Sequence, residues 1–169
     1  MTQRDEQPQW RLMREQDLAQ VDVVANIVHP DFFEEEAVFR DRFNACPEGC
    51  FVLDNGTEIL GYGISHPWSQ DSIPELNKVY GDWRDDSDVF YIHDVALLPK
   101  ARSGGQASRV IAKMIAQASE LHFPTMALVA VNGTQGFWQK QGFTPKNVPS
   151  LALKLRTYSD DAVYMIRKS

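Results

Sequence analysis

One stretch, residues 89–121, changes its hydrophobic period midway and constrains what the rest of the chain can fold into. Its first part, 89–98, is rich in β-formers and is closed by Pro99, so it predicts a strand. From Ser108 onward the apolar residues fall on one helical face, namely Val110, Ile111, Met114, Ile115, Ala118 and Leu121. The stretch therefore predicts a strand, a short loop headed by Arg102, and an amphipathic helix in direct succession.

The loop between this strand and this helix suits a phosphate group. Gly104 and Gly105 have no Cβ, so a bulky anion can approach the main chain. The first turn of the helix presents unpaired N–H groups with a favourable dipole, and Arg102 adds a planar cation. An ordinary strand-to-helix turn can contain the same glycines, so the loop alone leaves phosphate binding open. The chain has neither the Gly-Lys-Ser/Thr of a P-loop nor the G-x-G-x-x-G of a dinucleotide fold.

Two segments resemble the GNAT superfamily of acyl-CoA N-acyltransferases. Arg102-x-x-Gly105-x-Ala107 is similar to its pyrophosphate loop, R/Q-x-x-G-x-G/A. Residues 132–143 are similar to its N-x-x-A-x-x-F/L-Y-x-K/R-x-G-F segment, and the two motifs occur in the family's order. The resemblance implies an α/β fold, an α-β-α sandwich around a mixed, mostly antiparallel sheet, as a single domain over residues 1–169.

The resemblance also implies acetyl-CoA as the acyl donor. In the family the pantetheine arm lies along the main chain of the fourth strand like an added strand, here Val95, Ala96 and Leu97. A backbone N–H there, usually in a bulge, serves the oxyanion. The pyrophosphate would lie on Arg102, Ser103, Gly104, Gly105, Gln106, Ala107 and Ser108. The thiol end would lie near Asn132, Phe137 and Trp138.

Acetyl transfer to an amine needs a base, because an alkylammonium with a pKa of about 10 cannot attack a thioester. His93 lies on the strand that would meet the thioester, and its imidazole titrates in the right range. Tyr91-Ile92-His93-x-Val95-Ala96 resembles the corresponding segment of arylalkylamine N-acetyltransferases, which implies a proton-carrying role for His93. The alternative is a histidine packed in the core. Strand alternation places Tyr91, His93 and Val95 on one face and Asp94 on the other, unless a bulge intervenes.

The position where many relatives have a tyrosine as general acid is Trp138, which has no proton to give. Either another group protonates the thiolate or the thiolate leaves unaided, since a thiol with a pKa of about 8.5 is a tolerable leaving group. The sequence does not rank the other candidate acids, Tyr62, Tyr91, Tyr158 and Tyr164.

The connection over residues 66–88 is long for a compact domain and is rich in aromatic and acidic residues. We interpret it either as a substrate lid, with a short helix around 74–80, or as a packed surface loop. Under the lid interpretation the residues that contact the amine are Tyr80, Trp83, Tyr91 and Asp94.

The rest of the chain predicts elements around this centre. Strands are expected at 10–13, 51–53, 59–65, 126–131 and 162–167. Helices are expected from Asp17 to His29-Pro30, at 32–44 and at 133–141. Residues 151–158 alternate as a strand would but also suit a helical face, and we interpret them as a short helix. Glu34, Glu35 and Glu36 would begin the second of these, either as a solvated helix start or as an acidic rim for an amine. Gly61 and Gly63 in a strand indicate close approach by a ligand or by neighbouring side chains.

Bulk composition narrows the class of protein. The 169 residues, with 43% hydrophobic and 24% charged, suit one soluble domain with a core. A net charge of −6 disfavours coating of nucleic acid and mildly favours a cationic partner. No apolar run reaches membrane-spanning length and the N-terminus lacks a secretory core, so we expect no membrane partner and a cytoplasmic location. Cys46 and Cys50, without a nearby histidine, predict thiols and no metal site.

Together these features predict an N-acetyltransferase that moves an acetyl group from acetyl-CoA to a primary amine, small and either aromatic or polycationic. Two alternatives stay open. The acceptor could be a protein N-terminus or lysine, or the chain could be a non-catalytic acyl-CoA sensor that lost its acid at Trp138. A homodimer also stays open.

Overall fold

The computed structural model describes residues 7–83 and 86–169, which form a seven-stranded sheet with helices on both faces. The elements in chain order are β1 (Gln9–Leu12), α1 (Leu18–Val28), α2 (Glu36–Ala45), β2 (Cys50–Asp54), β3 (Ile59–Trp68), β4 (Val89–Leu97), α3 (Gln106–Glu120), β5 (Thr125–Ala130), α4 (Gln135–Lys140), β6 (Thr144–Pro145), α5 (Ala152–Tyr158) and β7 (Val163–Lys168). The strands lie in the order β1-β2-β3-β4-β5-β7-β6, and only β4 and β5 are parallel. The expected mixed, mostly antiparallel sheet is confirmed.

Helices cover both faces because both faces of the central strands are apolar. On one face α1 and α2 pack on β2 and β3, where Tyr62 and Ile64 are fully buried. On the other face Ile111 and Met114 of α3 lie against Phe90, and all three are fully buried. Burial of each such side chain stabilises the fold by about 1.5–3 kcal/mol. Buried apolar side chains therefore pack on both faces of β3 and β4.

The two glycines of β3 make room for protein rather than for a ligand. A Cβ on Gly63 would lie 2.6 Å from Met114 Cε and 3.0 Å from Val110 Cγ2. A Cβ on Gly61 would lie 2.6 Å from the carbonyl oxygen of Ala96. Of the two alternatives left open by the sequence, close approach of neighbouring elements is therefore the observed one.

The second helix begins later than the sequence predicts. It starts at Glu36, and Glu35 precedes it in extended backbone. Glu34 lies outside the helix and is 7% exposed, so the expectation of a solvated helix start is wrong for this residue. The physical reason is tertiary, because its carboxylate accepts hydrogen bonds from His93 and from the Asn77 N–H. These contacts outweigh the local preference of this stretch for a helix start at Glu34.

The long connection after β3 contains no helix over residues 69–83, so the short helix expected around 74–80 is not present; residues 84 and 85 lie outside the described part. In this segment, contacts of the aromatic rings with α2 take the place of the hydrogen bonds that a helix would make. The Arg42 guanidinium lies 5.0 Å from the ring centroid of Tyr80 and 5.3 Å from that of Trp83. Asp41 accepts hydrogen bonds from the N–H groups of Tyr80 and Gly81. These contacts with α2 hold the segment in irregular backbone.

Smaller differences have similar causes. Asp17 precedes α1 as predicted, but its carboxylate binds Arg11 and the Arg14 N–H and does not cap α1. Helix α3 begins at Gln106, two residues before the predicted start at Ser108. The predicted helix near the C-terminus is confirmed as α5. Both cysteines are buried free thiols. No helix among the described residues is long and apolar enough to cross a membrane.

Candidate active site

Strands β4 and β5 pair briefly and then separate. Their parallel register joins Phe90 to Met126 and Tyr91 to Ala127, and within the described residues the pairing goes no further. On its other side β4 stays paired with β3 as far as Leu97. The edge of β4 that faces β5 therefore presents main-chain groups without a strand partner beyond Tyr91. A pocket of about 360 Å³ opens at this separation.

A β-bulge decides which side chains of β4 face the pocket. Ser65 lies opposite Ile92 and Ile64 lies opposite Asp94, so His93 is the extra residue. His93 and Asp94 consequently share the face that carries α1, while Val95 packs into the core beneath α3. Simple alternation would have separated the two polar residues. The bulge, which the sequence analysis allowed as the exception, brings them together.

Asp94 is bound from two sides. Its Oδ1 lies 2.9 Å from His29 Nε2, and its Oδ2 accepts a hydrogen bond from the Tyr62 hydroxyl. Burial raises the pKa of Asp94, but the hydrogen bonds from His29 and Tyr62 and the charge of His29 bring it below its ordinary value. Burial lowers the pKa of His29, and the hydrogen bond and charge of Asp94 more than offset this, so it lies above its ordinary value. The pair therefore favours an ionised Asp94 carboxylate beside a His29 imidazole with a raised pKa.

A second imidazole–carboxylate pair lies beside the first. His93 Nε2 is 2.8 Å from Glu34 Oε1, and the two side chains are only 3% and 6% exposed. The other oxygen of Glu34 accepts the Asn77 N–H at 3.0 Å. Burial raises the pKa of Glu34, but the charge and hydrogen bond of His93 bring it below its ordinary value. His93 as a whole is partly exposed although its side chain is not, so its main chain is what faces the pocket.

The glycine loop beside the pocket has the form of an anion cradle. Gly104 and Gly105 have φ values of +89° and +76°, and a Cβ on either would meet nothing within 4 Å. Helix α3 begins at Gln106 without a side-chain cap, so its first N–H groups are unpaired at an open surface. Arg102 Nε donates to the Leu97 carbonyl at 3.1 Å, which holds the guanidinium at the loop. These features fit a pyrophosphate.

The far wall of the pocket comes from the end of β5 and from α4. Asn132 leaves the strand with a φ of 55°. The rings of Phe137 and Trp138 lie 5.2 Å apart, edge to face, and both line the pocket. Of the four tyrosines left unranked by the sequence, only Tyr158 lines the pocket. Its hydroxyl donates to the Pro74 carbonyl, so its proton is already engaged.

The pocket wall contains many of the predicted site residues, namely His93, Asp94, Val95, Ala96, Leu97, Arg102, Ala107, Asn132, Phe137 and Trp138. The adjoining loop and first helical turn contain Ser103, Gly104, Gly105, Gln106 and Ser108.

Three residues predicted to contact the amine lie outside this wall. Tyr91 is 2% exposed and its side chain is hydrogen-bonded to Tyr158. Tyr80 and Trp83 pack around Arg42 instead. Among the described residues of the connection, Leu76 lines the pocket.

Sequence reasoning missed His29 as a site residue, because it was interpreted only as part of a helix stop. It also placed Glu34 on a helix surface. One signal was available: His29 and Glu34, only five positions apart, lie at the break that the sequence predicts between the first two helices. Tertiary packing decides where the side chains beside such a break point, so the signal was weak.

Comparisons with known proteins agree with this architecture. The sequence profile of the acetyltransferase (GNAT) family matches residues 11–143. Among curated proteins none matches the sequence significantly. Ard1 from Thermoplasma volcanium superposes with a TM-score of 0.74 at 17% identity, covering 96% of this chain and 97% of that chain. Naa50 from Arabidopsis thaliana, in complex with the bisubstrate analogue CoA-Ac-MVNAL, superposes with a TM-score of 0.68 at 14% identity, covering 96% and 99%.

A third structure differs in size. N-acetylglutamate synthase from Neisseria gonorrhoeae, complexed with coenzyme A and N-acetyl-glutamate, superposes with a TM-score of 0.68 at 14% identity. The match covers 95% of this chain but only 35% of the synthase chain. At these identities the likenesses show the fold. The family profile spans most of the sequence, and so the chain belongs to the acetyltransferase (GNAT) family.

Proposed function

We propose that this protein transfers an acetyl group from acetyl-CoA to the primary amine of a small molecule, as a single domain. One observation carries the proposal. The bulge at His93 lies where β4 leaves β5, so an unpaired strand edge, two imidazole–carboxylate pairs and the uncapped start of α3 border one pocket. These groups can hold an acyl-CoA and remove a proton from an amine within one pocket.

Acetyl-CoA is the acyl donor. The free edge of β4 at Val95, Ala96 and Leu97 offers hydrogen-bonding groups to an arm that contains amides, in the manner of an added strand. The loop and helical turn at 102–108 suit the pyrophosphate. Naa50 and N-acetylglutamate synthase, which share this fold, were solved with CoA-containing ligands. The likeness of β4 to arylalkylamine N-acetyltransferases stays a prediction.

The protein groups can supply the remaining needs of the reaction. An imidazole of the pocket removes the extra proton of the amine, and the sequence assigned this role to His93. The exposed main chain of the bulge supports a role for its N–H as the hydrogen-bond donor that stabilises negative charge on the thioester oxygen. Trp138 offers no proton, and the hydroxyl of Tyr158 is engaged with Pro74. The thiolate therefore leaves without a phenol as its acid.

The acceptor end of the pocket favours a small molecule. Phe32, Leu76 and Tyr158 line it with apolar surface. Hydrogen bonds hold the segment that carries Leu76 in place. The Asn77 N–H donates to Glu34, and Asn77 Oδ1 accepts the Glu35 N–H at 2.8 Å. The carboxylates of Glu34 and Asp94 attract an ammonium group. These features support a compact cationic amine.

A peptide N-terminus is the second candidate acceptor. It is favoured by one observation, the likeness to Naa50, whose structure contains the bisubstrate analogue CoA-Ac-MVNAL. The same pocket would then have to admit an extended chain past Leu76.

The experiment is a thiol-release screen with acetyl-CoA over small amines and short peptides, preceded by calorimetry of acetyl-CoA binding. We expect saturable acetyl-CoA binding, and a kcat/KM for the best small amine about tenfold or more above that for any peptide. Absence of acetyl-CoA binding would remove the proposal. Binding without turnover would favour the sensor alternative, and faster turnover of peptides would favour the N-terminal acceptor.

A further inference from the structure

We propose that His29, and not His93, accepts the proton of the acceptor amine, with Asp94 as the residue that positions it. This inference rests on the proposed acetyl transfer. The role of His29 as proton acceptor is not visible in the sequence, where this residue closes the first helix. Four structural observations carry it: exposure, hydrogen-bond geometry, surrounding charge, and the separate engagement of His93.

The two imidazoles differ in access to the pocket. The side chain of His29 is 23% exposed and lines the wall, whereas the side chain of His93 is 3% exposed. His29 directly follows α1, and its ring lies 6.4 Å from that of Phe32, edge to face. Helix end and ring contact together hold the imidazole at the acceptor end. A proton on a bound amine can reach His29 directly, while it can reach His93 only past the residues that bury it.

Hydrogen bonding determines which nitrogen of His29 can accept a proton. An ionised carboxylate only accepts, so Asp94 Oδ1 at 2.9 Å requires the N–H to be on Nε2. The lone pair is then on Nδ1, which has no hydrogen-bond partner among the described residues. The Tyr62 hydroxyl holds the other oxygen of Asp94, which prevents the carboxylate from rotating away. This is the arrangement in which a carboxylate orients an imidazole as a base.

The charges around His29 stabilise its protonated form. Asp94 on β4 and Glu34 before α2 are the acidic groups that face it, and Arg102 is the opposing cation. Tyr62 on β3 and His93 on the bulge touch the same carboxylates. The sum of these effects, with burial acting in the opposite direction, places the pKa of His29 above its ordinary value. An imidazolium that forms here is therefore held by Asp94.

The proton balance is simple. The ammonium gives one proton to His29 Nδ1, and the neutral nitrogen then forms a bond to the acetyl carbon. The carbon–sulfur bond breaks, and its electron pair leaves with sulfur. The second proton of the nitrogen leaves with the thiol, and the imidazolium returns its proton to solvent. No oxidant, reductant or metal is needed.

His93 has a different task in this scheme. Its Nε2 is bound to Glu34, and Glu34 also holds the chain at Asn77. The pair thus ties the bulge to the segment that walls the acceptor end. Loss of His93 should disturb the position of the bulge and its main chain, and so lower the rate, without removing the titrating base.

The test compares three histidine variants in the full chain with the best amine from the screen. His29→Gln should lower kcat by about a hundredfold or more, leave the Kd of acetyl-CoA unchanged, and abolish the ascending limb of the pH–rate profile. His93→Gln should cost less and keep that limb. His122→Gln, at the exposed histidine after α3, is the matched control and should behave as wild type.

The link to Asp94 has its own readout. Asp94→Asn removes the charge that raises the pKa of His29, so the ascending limb should move to lower pH while kcat falls. NMR titration of the His29 ring protons should show the same shift. An active wild type whose limb persists in His29→Gln and disappears in His93→Gln would overturn the inference and return the base to His93. An unchanged His29 pKa in Asp94→Asn would overturn the pairing. A wild type that turns over no amine would instead refute the proposed function, and the assignment of His29 with it.

Discussion

Glu34→Gln is the most informative single change, because it removes one charge from a buried pair and keeps the shape of the side chain. In the native protein Glu34 Oε1 lies 2.8 Å from His93 Nε2, and the other oxygen accepts the Asn77 N–H at 3.0 Å. A buried hydrogen bond to a charged group is worth about 1.5–3 kcal/mol. We expect a loss of about 2 kcal/mol in the free energy of unfolding.

The assay is urea or thermal unfolding at neutral pH, followed by circular dichroism. For a chain of 169 residues, a loss of this size lowers Tm by roughly 4–8 °C. Glu35→Gln is the matched control, because its side chain is exposed and its N–H is unaffected. The control should change stability by less than about 0.5 kcal/mol. A double-mutant cycle with His93→Gln should give a coupling energy of about 1–3 kcal/mol.

The pH dependence gives an independent check. The pKa of Glu34 is lowered in the folded state, so its contribution is fully present above the ordinary value of 4.5 and is lost as pH falls through the folded pKa. Protonated Glu34 resembles glutamine. The difference in stability between wild type and Glu34→Gln should therefore be constant from pH 7 to 5 and shrink below about 4.5. A difference under about 0.5 kcal/mol at pH 7, or one that persists unchanged in acid, would refute the reasoning.

Two further predictions concern the donor side of the pocket. Gly105→Val should abolish acetyl-CoA binding in calorimetry, because a β-branched side chain at a φ of +76° strains the loop by about 1–3 kcal/mol and places bulk where the pyrophosphate would lie. Gly81→Val, with a φ of +72° and equally open space, is the control that keeps binding, and equal affinity in both variants would contradict the phosphate site. Trp138→Tyr should change steady-state thiol release by less than about tenfold, since a smaller ring leaves a gap beside the thioester while a phenol adds an acid. A gain of a hundredfold or more would show instead that the native protein is a degenerate sensor.

Much of the architecture follows from local sequence. The period change over 89–121 predicts a strand, loop and helix, and these are present as β4, the 98–105 connection and α3. The strands expected at 51–53, 59–65 and 126–131 are likewise present, as β2, β3 and β5. Apolar periodicity and glycine positions act over a few residues, so they can be read without knowledge of the fold. The cofactor loop and the residues that border it belong to this class.

The acceptor end was decided by tertiary structure. Glu34 left its predicted helix because His93 and Asn77, far away in sequence, bind its carboxylate. His29 became a site residue because the bulge turned Asp94 toward it, and a single extra residue in β4 reverses the facing of every side chain beyond it. Tyr80 and Trp83 lie outside the pocket wall because their rings pack against the Arg42 guanidinium, which is also distant in sequence. The sequence by itself determined the helices and strands, because their signals are local. The pairing of buried charges depended on which distant elements packed together, because a buried charge is stable only beside a partner.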